Sequence, residues 1–241
     1  REMVDRNALI RRLPVVESLG SVDVIVTDKT GTVTENEMTV TRLYTSGSVI
    51  DLSESPSKSA TDDQRIVANG NGERNPKVEP LLRCGTLCNN VEWTDENEYR
   101  GEPTEIALQR IADDADIDPT GERIREIPFS SDRKRMSVIV DNGEPTAYMK
   151  GAPETVLDRC DFVLEHGEKV PLTDAKREAI HNRTESFAAD ALRVLGFASK
   201  PVEDPSANED QIEEEMLFLG LQGMLDPPRE EVAEAIADCR A

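Results

Sequence analysis

Asp28, Lys29, Thr30, Gly31 and Thr32 follow, after Thr27, on a mostly β-branched, apolar run from Val22 to Val26. A carboxylate presented at the end of such a run can attack phosphorus and become an acyl phosphate. Gly31 lets the backbone turn sharply, and Thr30 and Thr32 offer hydroxyls and amides to an anion. The run has the length and composition of a strand buried on both faces. That would put Asp28 at the strand's carboxyl end, where open α/β sheets hold their ligands. The same residues also fit a strand that ends in a polar turn and does no chemistry. Other reactive residues are sparse. Cys84 and Cys88 form a C-x3-C without a second pair or a nearby histidine to complete a metal site. With Cys160 and Cys239 they read as free thiols, mostly buried, in a reducing compartment. Gly70-Asn71-Gly72 does not complete a dinucleotide fingerprint and reads as a turn.

The elements that would position Asp28 come in an informative order. Residues 1–20 carry short amphipathic patterns broken by Pro14, then the Asp28 strand follows. Met38 to Ile50 alternates like two strands about Ser46-Gly47, and Asp51 to Pro76 reads as a long polar loop. Helices are expected from Glu79 to Asn89, and after Pro103 with Ile106, Ala107, Leu108 and Ile111 inward. The clearest hairpin signal is Asn142-Gly143, between Met136–Val140 and Thr146–Met149. A helix is expected from Pro153 to about Cys160, and a polar one over Thr173–Ala191. Strands at Ala191–Ser199 and Met216–Gly223 flank an acidic stretch. Asp226-Pro227-Pro228 then introduces a helix with Val232, Ala233 and Ile236 inward. This order fits one α/β domain interrupted by an inserted α+β domain, with hinges near Asn36 and Asp226.

Charge sets the surface. Asp and Glu number 49 against 28 Lys and Arg, a net charge of −21, and only eight of the 28 cations are lysines. Such a surface repels nucleic acid and anionic membranes, so neither is expected as a partner. It fits adaptation to a salty cytoplasm. The thermal midpoint is then expected to rise between dilute buffer and molar KCl, and a midpoint indifferent to salt would exclude the idea. No run reaches the roughly eighteen apolar residues of a membrane-spanning helix. The chain starts at Arg1 and stops just after a helical pattern, and it reads as a piece of a longer protein.

Four segments, taken together, resemble the type II P-type cation-transporting ATPases of the calcium-pump kind. Asp28-Lys29-Thr30-Gly31-Thr32-Val33-Thr34-Glu35-Asn36 is similar to their phosphorylation motif. Phe129 to Met136 is similar to their adenine-pocket segment. Met149-Lys150-Gly151-Ala152-Pro153-Glu154 is similar to their K-G-A-P-E nucleotide motif, and Leu225 to Arg229 to their second hinge. All four stand in the family's order.

The resemblance implies a partial haloacid-dehalogenase-like (Rossmann-like) phosphorylation domain, residues 1–36 and 226–241. It is interrupted by an inserted nucleotide-binding domain, residues 37–225, with a mostly antiparallel sheet. It implies ATP and Mg²⁺ as cofactors, with Asp28 accepting the γ-phosphate and Asp28 and Thr30 serving the metal, Thr30 through its carbonyl. Lys29 and Thr32 would help hold the phosphoryl oxygens. On the nucleotide side it implies Phe129 stacking on adenine, Glu105 near the adenine amino group with Glu102 beside it, and Lys134 and Lys150 toward the nucleotide. Met136, Gly151, Arg193 and Asp226 complete that set. Without the motifs, Phe129 would read as a core aromatic, and the two glutamates as solvated helix-start acids. Ser131 stands where calcium pumps often carry arginine, and Thr27 where serine is usual.

Actuator, remaining phosphorylation and transmembrane domains are the implied partners, in a parent protein lodged in the cell membrane with this part on the cytoplasmic side. The chain alone is expected to bind ATP without turning it over. The competing reading is a soluble haloacid-dehalogenase-like phosphatase, which usually carries a second acid two residues after the nucleophile. Thr30 occupies that position here, which favours a persistent phosphate and the pump.

Overall fold

The computed structural model describes residues 22–52, 67–68, 73–74, 76–94, 98–117 and 119–240. The patterns read over residues 1–20, the Gly70-Asn71-Gly72 turn and most of the 51–76 loop lie outside the described residues. The chain divides into two units: Asn36–Pro227, and the residues up to Glu35 together with those from Pro228 on.

In the larger unit, β1 (Thr39–Thr45) and β2 (Ser48–Asp51) make a hairpin with Ser46 and Gly47 as a two-residue turn. Both turn residues have positive φ, as a turn that matches the strand twist requires. Two small hairpins follow, β3 (Val67–Ala68) with β4 (Glu73–Arg74) and β5 (Glu92–Trp93) with β6 (Tyr99–Arg100). The remaining strands are β7 (Glu122–Ser130), β8 (Arg135–Asp141), β9 (Thr146–Gly151), β10 (Cys160–Glu165), β11 (Glu168–Pro171), β12 (Arg193–Pro201) and β13 (Met216–Leu225). Among the described residues they form one sheet in the order β11-β10-β13-β12-β9-β8-β7, with β1 also paired to β13 and β2 paired to β1. Every pairing is antiparallel except β10 with β13. The fold is α/β with a mostly antiparallel sheet, as expected.

Helices cover both faces. On one lie α1 (Glu79–Leu87) and α2 (Pro103–Asp114), whose Leu81, Leu82, Leu108 and Ile111 pack against Met136, Val138 and Phe197. On the other lie α3 (Pro153–Leu157), α4 (Asp174–Ala189) and α5 (Glu209–Ile212), packed against Ile139, Ala198 and Phe218. With both faces covered, β8 is buried along nearly its whole length. β13 carries a bulge: Phe197 pairs with Gly220 and Ala198 with Phe218, leaving Leu219 unpaired. Phe218 therefore serves one core and Leu219 the other, and Leu221 returns to the first. Gly220, at φ 150°, has no room for a side chain, because a Cβ there would lie 2.2 Å from the Tyr44 carbonyl oxygen.

Three expectations fail. Val22 to Val26 is neither strand nor buried, with Val26 91 % exposed. A strand buried on both faces needs neighbours to bond and cover it, and none of the described residues does so. The helix after Pro153 stops at Leu157, because Cys160 is drawn into the sheet opposite Met216. In the smaller unit, α6 (Val232–Arg240) forms, but none of its residues is buried, and Ile236 is exposed. Its apolar stripe, like Val22–Val26, lacks a covering layer among the described residues.

Candidate functional site

The hairpin of β8 and β9 is the frame of the site. It sets Met136 opposite Lys150 and Arg135 opposite Gly151, and on the other side β12 sets Phe197 opposite Lys150 and Gly196 opposite Gly151. Lys150 is only 7 % exposed. An ammonium so enclosed needs a partner, and its Nζ lies 2.5 Å from Glu105 Oε1. Glu105 stands in the first turn of α2, where a carboxylate also suits the helix N-terminus. Glu102, at the cap, is exposed, and its carbonyl accepts hydrogen bonds from the Glu105 and Ile106 amides at 2.9 and 3.0 Å. Asn89, buried beyond the end of α1, donates to the Glu105 carbonyl at 2.9 Å and ties α2 to α1. The sequence reading passed over Asn89. A polar residue closing an apolar helix face was the signal that it is needed inside.

The turn between β7 and β8 forms the rim. Ser130 pairs with Arg135, the Lys134 amide donates to the Ser130 carbonyl at 2.7 Å, and Lys134 itself has φ 50°. The ladder slips between Ile127 and Ser130. Phe129, inside that slip, turns its ring to solvent and is 61 % exposed. It is no core residue, which removes the bland reading of it. Ala152 donates to the Lys134 carbonyl at 2.9 Å, so the Lys150–Pro153 segment is laced to this turn. Gly151 is required here, since a Cβ would lie 2.5 Å from the Lys134 carbonyl oxygen and 2.8 Å from Arg135 Cα. The closeness it allows is to the neighbouring strand.

Beneath the floor lie Cys84 and Cys88 of the α1 region, both buried. Their thiols donate to the Met149 and Ala198 carbonyls and to the Met136 carbonyl respectively. Burial pushes both thiols up, Cys88 to about 11, which keeps them protonated and inert at neutral pH. Arg193 opens β12, exposed, opposite Met224, two residues before Asp226, at the end of the β12–β13 pair. It stands three residues before Gly196, about 10 Å along the strand from the Lys150–Gly151 floor.

Glu102, Glu105, Phe129, Lys134, Met136, Lys150 and Gly151 thus belong to one α2–β7–β8–β9 assembly, with Arg193 further along the same sheet and Asp226 just past the end of β13. Asp28 and Thr32 lie in the smaller unit, both exposed; the side chains of Lys29 and Thr30 fall outside the described ones. Lys29–Val33 forms a single π-helical turn with Gly31 at φ 79°. The Gly31 amide donates to Thr34 Oγ1 at 3.3 Å, and Arg229 donates to the Gly31 carbonyl at 3.4 Å. Thr34 bridges Pro228, and the Arg229 amide donates to the Val33 carbonyl at 3.0 Å. The segments after Asp28 and after Asp226 are therefore joined side by side.

Comparison with known proteins gives the arrangement a context. Residues 77–231 match the family described as "P-type ATPase, cytoplasmic domain N". Calcium-transporting ATPase 1 of Bacillus cereus is 38 % identical over 246 residues, covering 100 % of this chain and 26 % of that protein. Calcium-transporting ATPase 1 of Saccharomyces cerevisiae is 38 % identical over 249 residues, covering 97 % of this chain and 26 % of that protein. Cation-transporting ATPase pma1 of Synechocystis is 38 % identical over 256 residues, covering 98 % of this chain and 28 % of that protein. The chain therefore spans about a quarter of the length of the curated relatives it matches. With most of its residues matching domain N, this chain belongs to the P-type ATPase family.

Proposed function

We propose that this chain is the ATP-binding part of a type II, calcium-pump-like P-type ATPase, which couples ATP hydrolysis to cation transport through an aspartyl phosphate. The observation that carries the reading is the enclosed Lys150–Glu105 pair together with an outward-facing Phe129 on the turn laced to the Lys150–Pro153 segment. Adenine stacks on Phe129, with its amino group near Glu105 and Glu102, while Lys134 and Lys150 supply positive charge to the nucleotide. Arg193, about 10 Å along the sheet, meets the phosphate chain, and Asp226 lies at the hinge. Local cations are what let a triphosphate approach a chain of net charge −21.

The phosphorylation domain is proposed to be haloacid-dehalogenase-like, built from residues 1–36 and 226–241 around a nucleotide domain of residues 37–225. The side-by-side segments Val33–Thr34 and Pro228–Arg229 support that continuity. In the reaction an Asp28 carboxylate oxygen attacks the γ-phosphorus, the bond to the β–γ bridging oxygen breaks, and ADP leaves. Lys29 and Thr32 steady the phosphoryl oxygens. The donors available for Mg²⁺ are the exposed Asp28 carboxylate and the Thr30 carbonyl. Such a small, all-oxygen set suits a cation that keeps waters and shares phosphate oxygens, and bound there it would offset the charge of the phosphates. Calcium is the ion proposed, from the names of the relatives. The parent protein sits in a membrane with this part on the cytoplasmic side, joined to actuator and transmembrane domains. The phosphatase reading is not favoured, since the matching relatives are transporters.

Calorimetric titration of the 241-residue chain with ATP is expected to show saturable binding that Phe129→Ala weakens by about tenfold or more. No saturable binding, or equal affinities, would overturn the proposal.

A further inference from the structure

We propose that Glu213 is a positioning residue for the nucleotide site, acting through Arg133 to hold the Phe129–Lys134 turn in its binding shape. The inference rests on the reading of that turn as the adenine rim.

Glu213 ends α5, far along the chain from the turn, and is 1 % exposed. Three donors converge on its carboxylate. Arg133 Nη2 and Ser137 Oγ donate to Oε1, the latter at 2.7 Å, and Arg135 Nε donates to Oε2 at 2.8 Å. Both oxygens are thus satisfied by charge-assisted or hydroxyl donors, as a buried carboxylate requires. The second arm of Arg133 reaches back: its Nη1 donates to the Pro128 carbonyl at 3.2 Å, and its backbone amide donates to Ser130 Oγ at 3.2 Å. Arg135 closes the loop by donating to the Arg133 carbonyl at 3.3 Å.

The placement of these bonds is what assigns a role. Pro128 and Phe129 fall inside the slip of the β7–β8 ladder, so strand pairing does not hold them. Arg133 grips the residues on either side of Phe129, and Glu213 grips Arg133. The ring itself is left free and outward, while the backbone that carries it is tied to a buried anchor on the far side of β8. A planar guanidinium can serve both ends at once, and a lysine ammonium could not reproduce that fork. The general gain is pre-organisation, since a ligand need not order a turn that is already ordered.

The test uses the 241-residue chain and two readouts. Arg133→Gln removes the link and leaves Arg135, Ser137 and Glu213 joined; Glu213→Gln removes the anchoring charge. Both are expected to speed amide hydrogen exchange across residues 128–135 while leaving β9 and β12 protected, and to weaken ATP binding by about tenfold. In a Phe129→Ala background the further loss from Arg133→Gln is expected to be clearly smaller than in the wild-type background, because the turn then has only Lys134 left to position. Unchanged exchange in the turn, exchange raised throughout the sheet, or full additivity with Phe129→Ala would each overturn the proposal. If the wild-type chain bound no ATP, the nucleotide reading would fall, and the exchange data would still decide whether Glu213 holds the turn.

Discussion

Replacing Asp28 by Asn is expected to abolish labelling of the proposed full-length pump by γ-labelled ATP, read as acid-stable, hydroxylamine-labile phosphoprotein. The amide keeps the shape of the carboxylate but has no oxygen basic enough to displace ADP, so a loss of at least about a thousandfold is expected, as for other nucleophile replacements. ATP affinity is expected to stay within about twofold, because the residues proposed to bind nucleotide all belong to Asn36–Pro227 and Asp28 does not. Thr30 sharpens the expectation for the native protein. With no acid two residues on to activate water, the acyl phosphate should survive long enough to trap. Label that persists in Asp28→Asn would place the nucleophile elsewhere.

The second large effect is expected at Lys150. Lys150→Ala should weaken ATP binding by on the order of a hundredfold, measured by the same titration. Two losses add. A charge-assisted contact to the nucleotide contributes roughly 1.5–3 kcal/mol, and Glu105 is left as a largely enclosed carboxylate with no ammonium 2.5 Å away to offset it. The second loss can be separated from the first. In Lys150→Ala/Glu105→Gln the repulsive charge is gone, and part of the affinity is expected to return, provided melting curves show both proteins folded. Equal affinity of wild type and Lys150→Ala would remove the floor of the proposed site.

Much of the frame was legible because local chemistry and tertiary need agree. Asn142-Gly143 between two apolar runs could hardly be anything but a hairpin, and Lys150 follows from its register. The pairing of Lys150 with Glu105 was not legible, since it depends on α2 lying across β9. β7 was missed because its Arg and Glu residues, typical of a protected edge, hide the alternation. Strands β10 and β11 were missed for want of a turn signal stronger than His166-Gly167. Glu213 stood among neighbouring glutamates with nothing local to single it out. The available sign lay elsewhere: Arg135 and Ser137 share a face of an otherwise apolar strand, and a cation on a buried face demands a buried anion. The Val22–Val26 run failed the other way, because pattern alone cannot supply the neighbours that bury a strand.

Strand β13 sets the order in which the larger unit can be made. Remove it, and the sheet falls into three ribbons: β1 with β2, β10 with β11, and β7-β8-β9-β12. Thr39, near the unit's beginning, finds its mate only in Leu225, near its end. A ribosome working from the first residue must therefore release nearly the whole unit before these ribbons can be joined. Until then the inner edges of β1, β10 and β12 stay open to wrong partners. Assembly becomes a single late event, in which the last strand locks the earlier ones, so a nascent chain stalled short of Met216 would hold separate ribbons but not the joined sheet.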